Sequence, residues 1–297
     1  MIIVSLFGGI GNQMFQYACG KVVAKNLNAE LKIDISHLTD RTPRNNFTYR
    51  DYELGVFNIK DEIATIEEVR QFIPDLWNSK EYIKQLYKLK RLFNGKSLYL
   101  EKSKFTYNKD IELVKDNTFL YGYFQTERYF ENHRSELLKS FMLNNQIDKI
   151  NISLIDKIKS ENAISIHIRR GDYLNSPFEL LDIQGYYMKA IELIQDRVEK
   201  PSFYIFTNDY LWAEENFASL NIKKIIVNIN KNDQSFIDMI LMSNCKHNIC
   251  ANSSFSWWGA WLNTNPEKIV IAPKRWFKNT DYVKSIFDLL PKSWLTI

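Results

Sequence analysis

The chain has 297 residues, 45% of them hydrophobic and 25% charged, which is enough to build a large core and is comfortable for two domains. A formal charge of +4 is too small to mark a nucleic-acid binder. Three cysteines (Cys19, Cys245 and Cys250) form no disulfide framework and fit a reducing compartment, and no apolar run approaches the length of a membrane span.

The opening MIIVSLFGG is apolar, lacks a basic flank and breaks at Gly8-Gly9, so it reads as a buried strand over 2–7 rather than a signal peptide. A glycine turn over 8–11, a helix over 13–27 and a strand over 30–35 complete a βαβ unit, which predicts a parallel sheet. Residues 36–60 are irregular, broken by Thr42-Pro43 and Asn45-Asn46. Helical spacing covers 65–93. Short β-like runs follow at 97–100 and 118–124, then a helix over 128–141. The stretch from Lys80 to Lys104 is strongly basic, with Leu86, Leu89 and Phe93 at helix-like spacing among the lysines. It is open to two readings: a solvated helical face, or a surface that touches anionic lipid head groups or an acidic acceptor.

Beyond residue 160 the alternation is regular. Strands over 163–168, 203–207, 224–227, 247–251 and 268–272 alternate with helices over 184–199, 210–217, 235–243 and 255–263. This is the pattern of a doubly wound nucleotide-binding half. The chain thus divides near residue 145 into two Rossmann-like α/β domains, 1–145 and 146–297, with ligands expected in a cleft beyond the carboxyl ends of the strands.

Three segments carry chemistry. In Ser165–Tyr173 (SIHIRRGDY), the alternation of Ile164, Ile166 and Ile168 buries one strand face and turns His167 and Arg169 to the other. Two arginines at a strand's carboxyl end need an anionic partner, and guanidinium forks match the oxygens of a diphosphate. A cation fixed there would also stabilise charge growing on a departing diphosphate. The competing reading is a structural ion pair between Arg170 and Asp172. The second segment, Cys245–Trp261 (CKHNICANSSFSWWGAW), runs from a strand through a turn of small residues into an aromatic helix. Ser253 and Ser254 there are either phosphate donors at a helix N-terminus or an ordinary N-cap. Cys245, His247 and Cys250 lack zinc spacing, and no Asp-x-Asp closes a strand, so no metal is expected. The third, Gly8–Phe15 (GGIGNQMF), puts Gly9-x-Gly11 after a strand with Asp34 further on. Met14 stands where a dinucleotide fingerprint has its third glycine and is expected to hold the helix off the strand. This turn brings backbone and the Asn12 and Gln13 amides toward the cleft.

Together these segments resemble the α-1,2-fucosyltransferases of glycosyltransferase family 11, over nearly the whole chain. The resemblance is carried by Gly8–Ala18 (GGIGNQMFQYA), His167–Tyr173 (HIRRGDY) and Ala251–Trp261 (ANSSFSWWGAW). It implies a GT-B fold and an inverting transfer of L-fucose from GDP-β-L-fucose, without metal or cofactor, to the 2-hydroxyl of a galactoside in a surface glycan. It implies that Arg169 contacts the β-phosphate and the departing oxygen, supported by His167 and Arg170. Ser253, Ser254 and Phe255 would line phosphate and ribose. Asp238 would read the guanine edge, the bland alternative being a solvated helix position. Gly9, Gly11 and Asn12 would border the donor sugar or the acceptor, and Asp172 is a candidate general base. Residues 1–145 become the acceptor side and 146–297 the GDP-fucose side. With no N-terminal anchor of the animal type, a bacterial cytoplasmic placement is implied, with the basic stretch as a peripheral membrane contact. The His-x-Arg-Arg element is shared with fucosyltransferases of other linkages, so linkage and acceptor stay open. A non-catalytic nucleotide- or sugar-binding protein is the rival from another class, and Met14 argues against an NAD oxidoreductase.

Overall fold

Strand β1 (Ile2–Ser5) runs through the middle of the first sheet with all four residues buried, as expected for a strand covered on both faces. The computed structural model describes residues 1–43, 48–73, 97–174, 176, 179, 182–231, 234–278 and 288–297, except the side chain of Asp172. Within these, the chain forms two units. One comprises Met1–Asn145 with Asp288 and Leu289, and the other the remainder from Gln146 onward.

The first unit holds a five-stranded parallel sheet in the order β3-β2-β1-β5-β4. Its strands are β1, β2 (Leu31–Asp34), β3 (Glu62–Ile63), β4 (Ser97–Leu100) and β5 (Thr118–Tyr121). Helix α1 (Ile10–Asn26) crosses from β1 to β2 and is buried on nearly every side, so it shows no single apolar stripe. Met14 was expected to keep this helix off the strand. It is fully buried, but the close approach is made two turns later, at Gly20. A Cβ on Gly20 would lie 2.9 Å from the Val4 side chain and 3.2 Å from Leu31 Cδ1. Short helices α2 (Ser36–Thr39) and α3 (Ile66–Arg70) follow, the latter with a complete capping box between Thr65 and Glu68. Most of the basic stretch, from Lys80 to Lys96, lies outside the described residues. The helix expected over 128–141 is two single 3-10 turns and then α4 (Arg134–Ser140). Phe130, with φ −149° and ψ 6°, interrupts it.

The second unit opens with helix α5 (Lys149–Ser160), which is not among the elements expected from the sequence. Ile150 and Ile152 face solvent, and they obscure the helical spacing of the inward positions Asn151, Leu154, Ile155 and Ile158. Six parallel strands follow: β6 (Asn162–Ile168), β7 (Pro201–Thr207), β8 (Lys224–Val227), β9 (His247–Ile249), β10 (Val270–Ala272) and β11 (Leu295–Thr296). Between them lie α6 (Ile183–Gln195), α7 (Tyr210–Phe217), α8 (Phe236–Asn244) and α9 (Ser254–Leu262). The sheet order is β11-β10-β9-β6-β7-β8. Counted from β6, this is the doubly wound order 3-2-1-4-5-6, which reverses direction between β6 and β9. Ile164, Ile166 and Ile168 pack under α6 with Tyr187, Ala190, Ile191 and Ile194. The other face of β6 is buried too, since Ser165 and His167 are 1% and 5% exposed, so the alternation did not separate an inner from an outer face.

Two parallel α/β units in one chain constitute the GT-B-type architecture expected from the motifs. Among the described residues, no helix is long and apolar enough to cross a membrane. Gly20→Ala tests the helix crossing. Helix propensity alone favours alanine by about 1 kcal/mol, but overpacking against Val4 should make the net change a destabilisation of roughly 1–3 kcal/mol. Urea denaturation reads the difference, and an unchanged or higher midpoint would contradict the close approach.

Candidate functional site

The carboxyl end of β6 carries Arg169 and Arg170, both half-buried. Arg170 takes its partners from the neighbouring strand end. Its Nε donates to Asp209 Oδ2 at 3.0 Å, and its backbone N–H donates to Asn208 Oδ1 at 2.9 Å. Its guanidinium lies 4.7 Å from the Trp212 ring centroid. The partner anticipated for Arg170 was Asp172; among the described residues it is Asp209, because parallel pairing sets Ile168 beside Thr207 and so brings the two strand ends together. Asp209 also caps α7, accepting from Trp212 N at 3.2 Å. Arg169 stacks over Tyr173, 5.6 Å from the ring centroid. The backbone of Asp172 sits in the 3-10 turn Gly171–Tyr173.

Across the strand-order reversal, β9 leads through Cys250–Ser253 into α9. Ser253 occupies the N-cap position, but its hydroxyl makes no cap hydrogen bond, so the ordinary-cap reading fails there. Ser256 ties the turn instead, its hydroxyl accepting from Ala251 N at 2.9 Å. First-turn N–H groups of a helix have no intrahelical partners and favour anions. Phe255 packs on His167, with ring centroids 5.4 Å apart. Burial and the charge of Arg169 push the His167 imidazole down to about 3, so it is neutral at physiological pH and unsuited to trading protons there. Its Nδ1 is buried without a hydrogen-bond partner among the described residues. The tryptophans that follow are core: Trp257, Trp258 and Trp261 are all buried, and Trp257 also packs on Trp294.

Asp238 lies in the first turn of α8 and is 8% exposed, not solvated. Asn230 Nδ2 donates to its Oδ1 at 2.8 Å. Desolvation pushes this carboxyl up to about 7, against the opposing effect of Asn230. Cys245 and Cys250 are buried thiols, and His247 Nδ1 accepts from Ile269 N at 2.9 Å. No group of three metal-ligating side chains occurs among the described residues.

In the first unit, the glycine turn after β1 is fixed by its neighbours. Gly8 has φ +76°, where only glycine is comfortable, while Gly9 is the extended N-cap of α1 and Gly11 is buried within it. Gln13 is fully buried, and its amide is spent on Gly8 O and Asp51 O at 2.8 Å each and on Glu53 N at 2.9 Å. It is a brace for the turn rather than a group offered to a ligand. Asn12 is partly exposed, with Oδ1 accepting from Gln125 Nε2 at 2.7 Å.

The chemistry-bearing positions of the second unit, Arg169, Arg170, His167, Ser253, Ser254, Phe255 and Asp238, thus all stand on or just beyond strand ends or in the first turn of a following helix. Those of the first unit, Gly9, Gly11 and Asn12, stand at the N-cap and in the first turn of α1, just after β1. Sequence reasoning missed Asn208, Asp209 and Trp212 around Arg170, and Asn151 and Asn230 behind Asp238. A strand order derived with β6 next to β7 would have drawn attention to the first three.

Two parallel α/β units, one of them doubly wound with paired arginines at its strand-order reversal, are the fold and site of a GT-B-type glycosyltransferase. The profile of Glycosyl transferase family 11 matches residues 1–297, and the chain belongs to that family. It is 36% identical to the O-antigen biosynthesis glycosyltransferase WbnK of Escherichia coli, over 98% of this chain and 99% of that protein. It is 31% identical to an alpha-1,2-colitosyltransferase of the same species, over 100% and 99%. In fold it resembles the crystal structure of the fucosyltransferase NodZ from Bradyrhizobium, with a TM-score of 0.53 at 14% identity, covering 87% of this chain and 91% of that one.

A carboxylate desolvated as Asp238 is should cost stability. Its folded-state value lies above the unfolded one, so stability is retained below about pH 4 and declines as pH rises toward 7. Asp238→Asn is therefore expected to stabilise the protein more at pH 8 than at pH 5, by a difference on the order of 1–3 kcal/mol. Denaturant unfolding at the two pH values measures it. Equal effects at both would contradict the burial argument.

Proposed function

We propose that the protein is an inverting glycosyltransferase that moves a fucosyl-type 6-deoxy sugar from a GDP-linked donor to a hydroxyl of a bacterial surface polysaccharide. The observation that carries this reading is the placement of Arg169 and Arg170 at the tip of β6, beside the reversal that leads to Ser253–Phe255. In doubly wound sheets that is where a diphosphate is bound. The likeness to WbnK supports a polysaccharide acceptor. The likeness to an alpha-1,2-colitosyltransferase supports the α-1,2 linkage and widens the donor question, because colitose is L-fucose without its 3-hydroxyl. The finer assignment, L-fucose onto the 2-hydroxyl of a galactoside, falls within this reading. Transfer to another hydroxyl or acceptor sugar is the broader alternative and has the firmer support.

In the proposed reaction the acceptor hydroxyl attacks the anomeric carbon opposite the leaving nucleotide. The bond to the β-phosphate oxygen breaks, and its charge grows against Arg169. Arg170 is held by Asp209 and Trp212 as a second fixed cation. Neutral His167 shapes the floor beneath Phe255. Asp172, in the turn after the arginines, is the proposed acceptor of the hydroxyl proton. Ser253, Ser254 and Phe255 line phosphate and ribose, Asp238 accepts from guanine, and Gly9, Gly11 and Asn12 border the transferred sugar or acceptor. No step requires a divalent ion.

Arg169→Ala should lower kcat by about 100- to 1000-fold with an unchanged circular dichroism spectrum, and Arg169→Lys should recover only part of it, since an ammonium cannot form the fork. Near-normal turnover in the alanine variant would overturn the role. Asp209→Ala should mainly raise the donor KM. A donor screen with GDP-fucose and GDP-colitose, followed by NMR of the product linkage, decides sugar and position. Activity should persist in EDTA, and its loss there would contradict the reading.

A further inference from the structure

We propose that the buried amide pair Asn151–Asn230 holds the Asp238 carboxylate in the orientation that selects guanine, which makes Asn230 a positioning residue for base specificity. The inference rests on the reading of Asp238 as the guanine acceptor.

The three side chains form one continuous chain of hydrogen bonds inside the second unit, with exposures of 1% for Asn151, 4% for Asn230 and 8% for Asp238. The two amides bond reciprocally, Asn151 Nδ2 to Asn230 Oδ1 at 2.8 Å and Asn230 Nδ2 to Asn151 Oδ1 at 3.0 Å. The second Nδ2 proton of Asn230 goes to Asp238 Oδ1 at 2.8 Å. That of Asn151 goes to Asp148 Oδ2 at 2.9 Å, and Asp148 Oδ1 accepts from Asn151 N at 2.8 Å as the N-cap of α5. A helix cap, two locked amides and a carboxylate are thereby joined with no free rotor between them. Such a network is costly to build half-satisfied and rigid when complete.

Asp34 shows how a purely structural buried carboxylate is treated in this protein. It is 1% exposed and takes Ser5 Oγ at 2.8 Å, Ser36 Oγ at 2.6 Å and Ser36 N at 3.0 Å, so both oxygens are satisfied. Asp238 receives one donor among the described residues, on Oδ1 alone, and no cation pairs with it there. A salt bridge would neutralise the carboxylate and compete with a ligand. A neutral amide instead fixes its plane and leaves Oδ2 and the remaining Oδ1 lone pair to accept. Guanine offers adjacent N1–H and 2-amino donors that match a carboxylate in two parallel bonds, whereas adenine presents an acceptor at N1.

Calorimetric titration of GDP and of IDP, which lacks the 2-amino group, tests this in the wild type, Asn230→Ala and Asn151→Ala. The wild type should prefer GDP. Asn230→Ala should weaken GDP by roughly tenfold, the worth of one well-placed hydrogen bond, with much less effect on IDP, so that the GDP-to-IDP ratio falls toward one. Asn151→Ala should move it in the same direction. Lower thermal stability with an unchanged ratio would mean a structural role only and overturns the proposal. A wild type that binds GDP no better than IDP would reject the Asp238 reading itself, which the wild-type titrations reveal before any variant is made. If neither variant folds, the wild-type side-chain amide resonances decide: that of Asn230 should shift with saturating GDP and not with ADP, and no shift under GDP overturns the proposal.

Discussion

Charge carried to the carboxyl edge of a sheet buried on both faces must be satisfied by its surroundings. That constraint organises the second unit. Arg170 cannot rest on the apolar tip of β6 without a partner, and the parallel register supplies Asp209 from β7 together with the face of Trp212. Its guanidinium is thereby aimed rather than left to sample solvent. The same crowding keeps His167 uncharged, so the cationic character of the site belongs to the arginines.

Among the described residues Asp288 is neutralised by Arg128 at 3.0 Å, and the other three buried carboxylates sort by their hydrogen bonds. Asp34 is fully hydrogen-bonded and serves the chain reversal after β2. Glu101 is pushed up to about 7 by desolvation, yet it accepts from Tyr123 N at 2.7 Å and Phe124 N at 3.0 Å. Those bonds stabilise a turn in which Phe124 takes φ +52°, a conformation bulky side chains avoid. Asp238 has an amide behind it and capacity to spare in front. Of the three, it alone is built as if something else were meant to complete it.

Much of this fold was legible in the amino-acid pattern. The β-α alternation after residue 160 predicts every strand of the second sheet except β11, because central parallel strands are short apolar runs set off by turn residues. Helix α5 escaped because the exposed Ile150 and Ile152 obscure the helical spacing of Leu154, Ile155 and Ile158, and the helix over 128–141 is shorter than its periodicity implies because Phe130 interrupts it. The arginines and the serine turn announced themselves by chemistry. Their supports did not: Asp209 and Asn230 are ordinary polar residues until strand order places them beside Arg170 and Asp238. The glycine motif was the least transparent. Its conformational demand falls on Gly8 and its packing demand on Gly20, neither of which the familiar spacing singles out.

The tryptophans give the chain an uneven optical character. Six of the seven, all but Trp77, lie in the second unit, and Trp257, Trp258, Trp261, Trp276 and Trp294 are shielded from water. Intrinsic emission therefore reports chiefly the integrity of the second unit's core. Trp212, half-buried against a guanidinium, is the chromophore placed to sense a change in local field without any loss of structure.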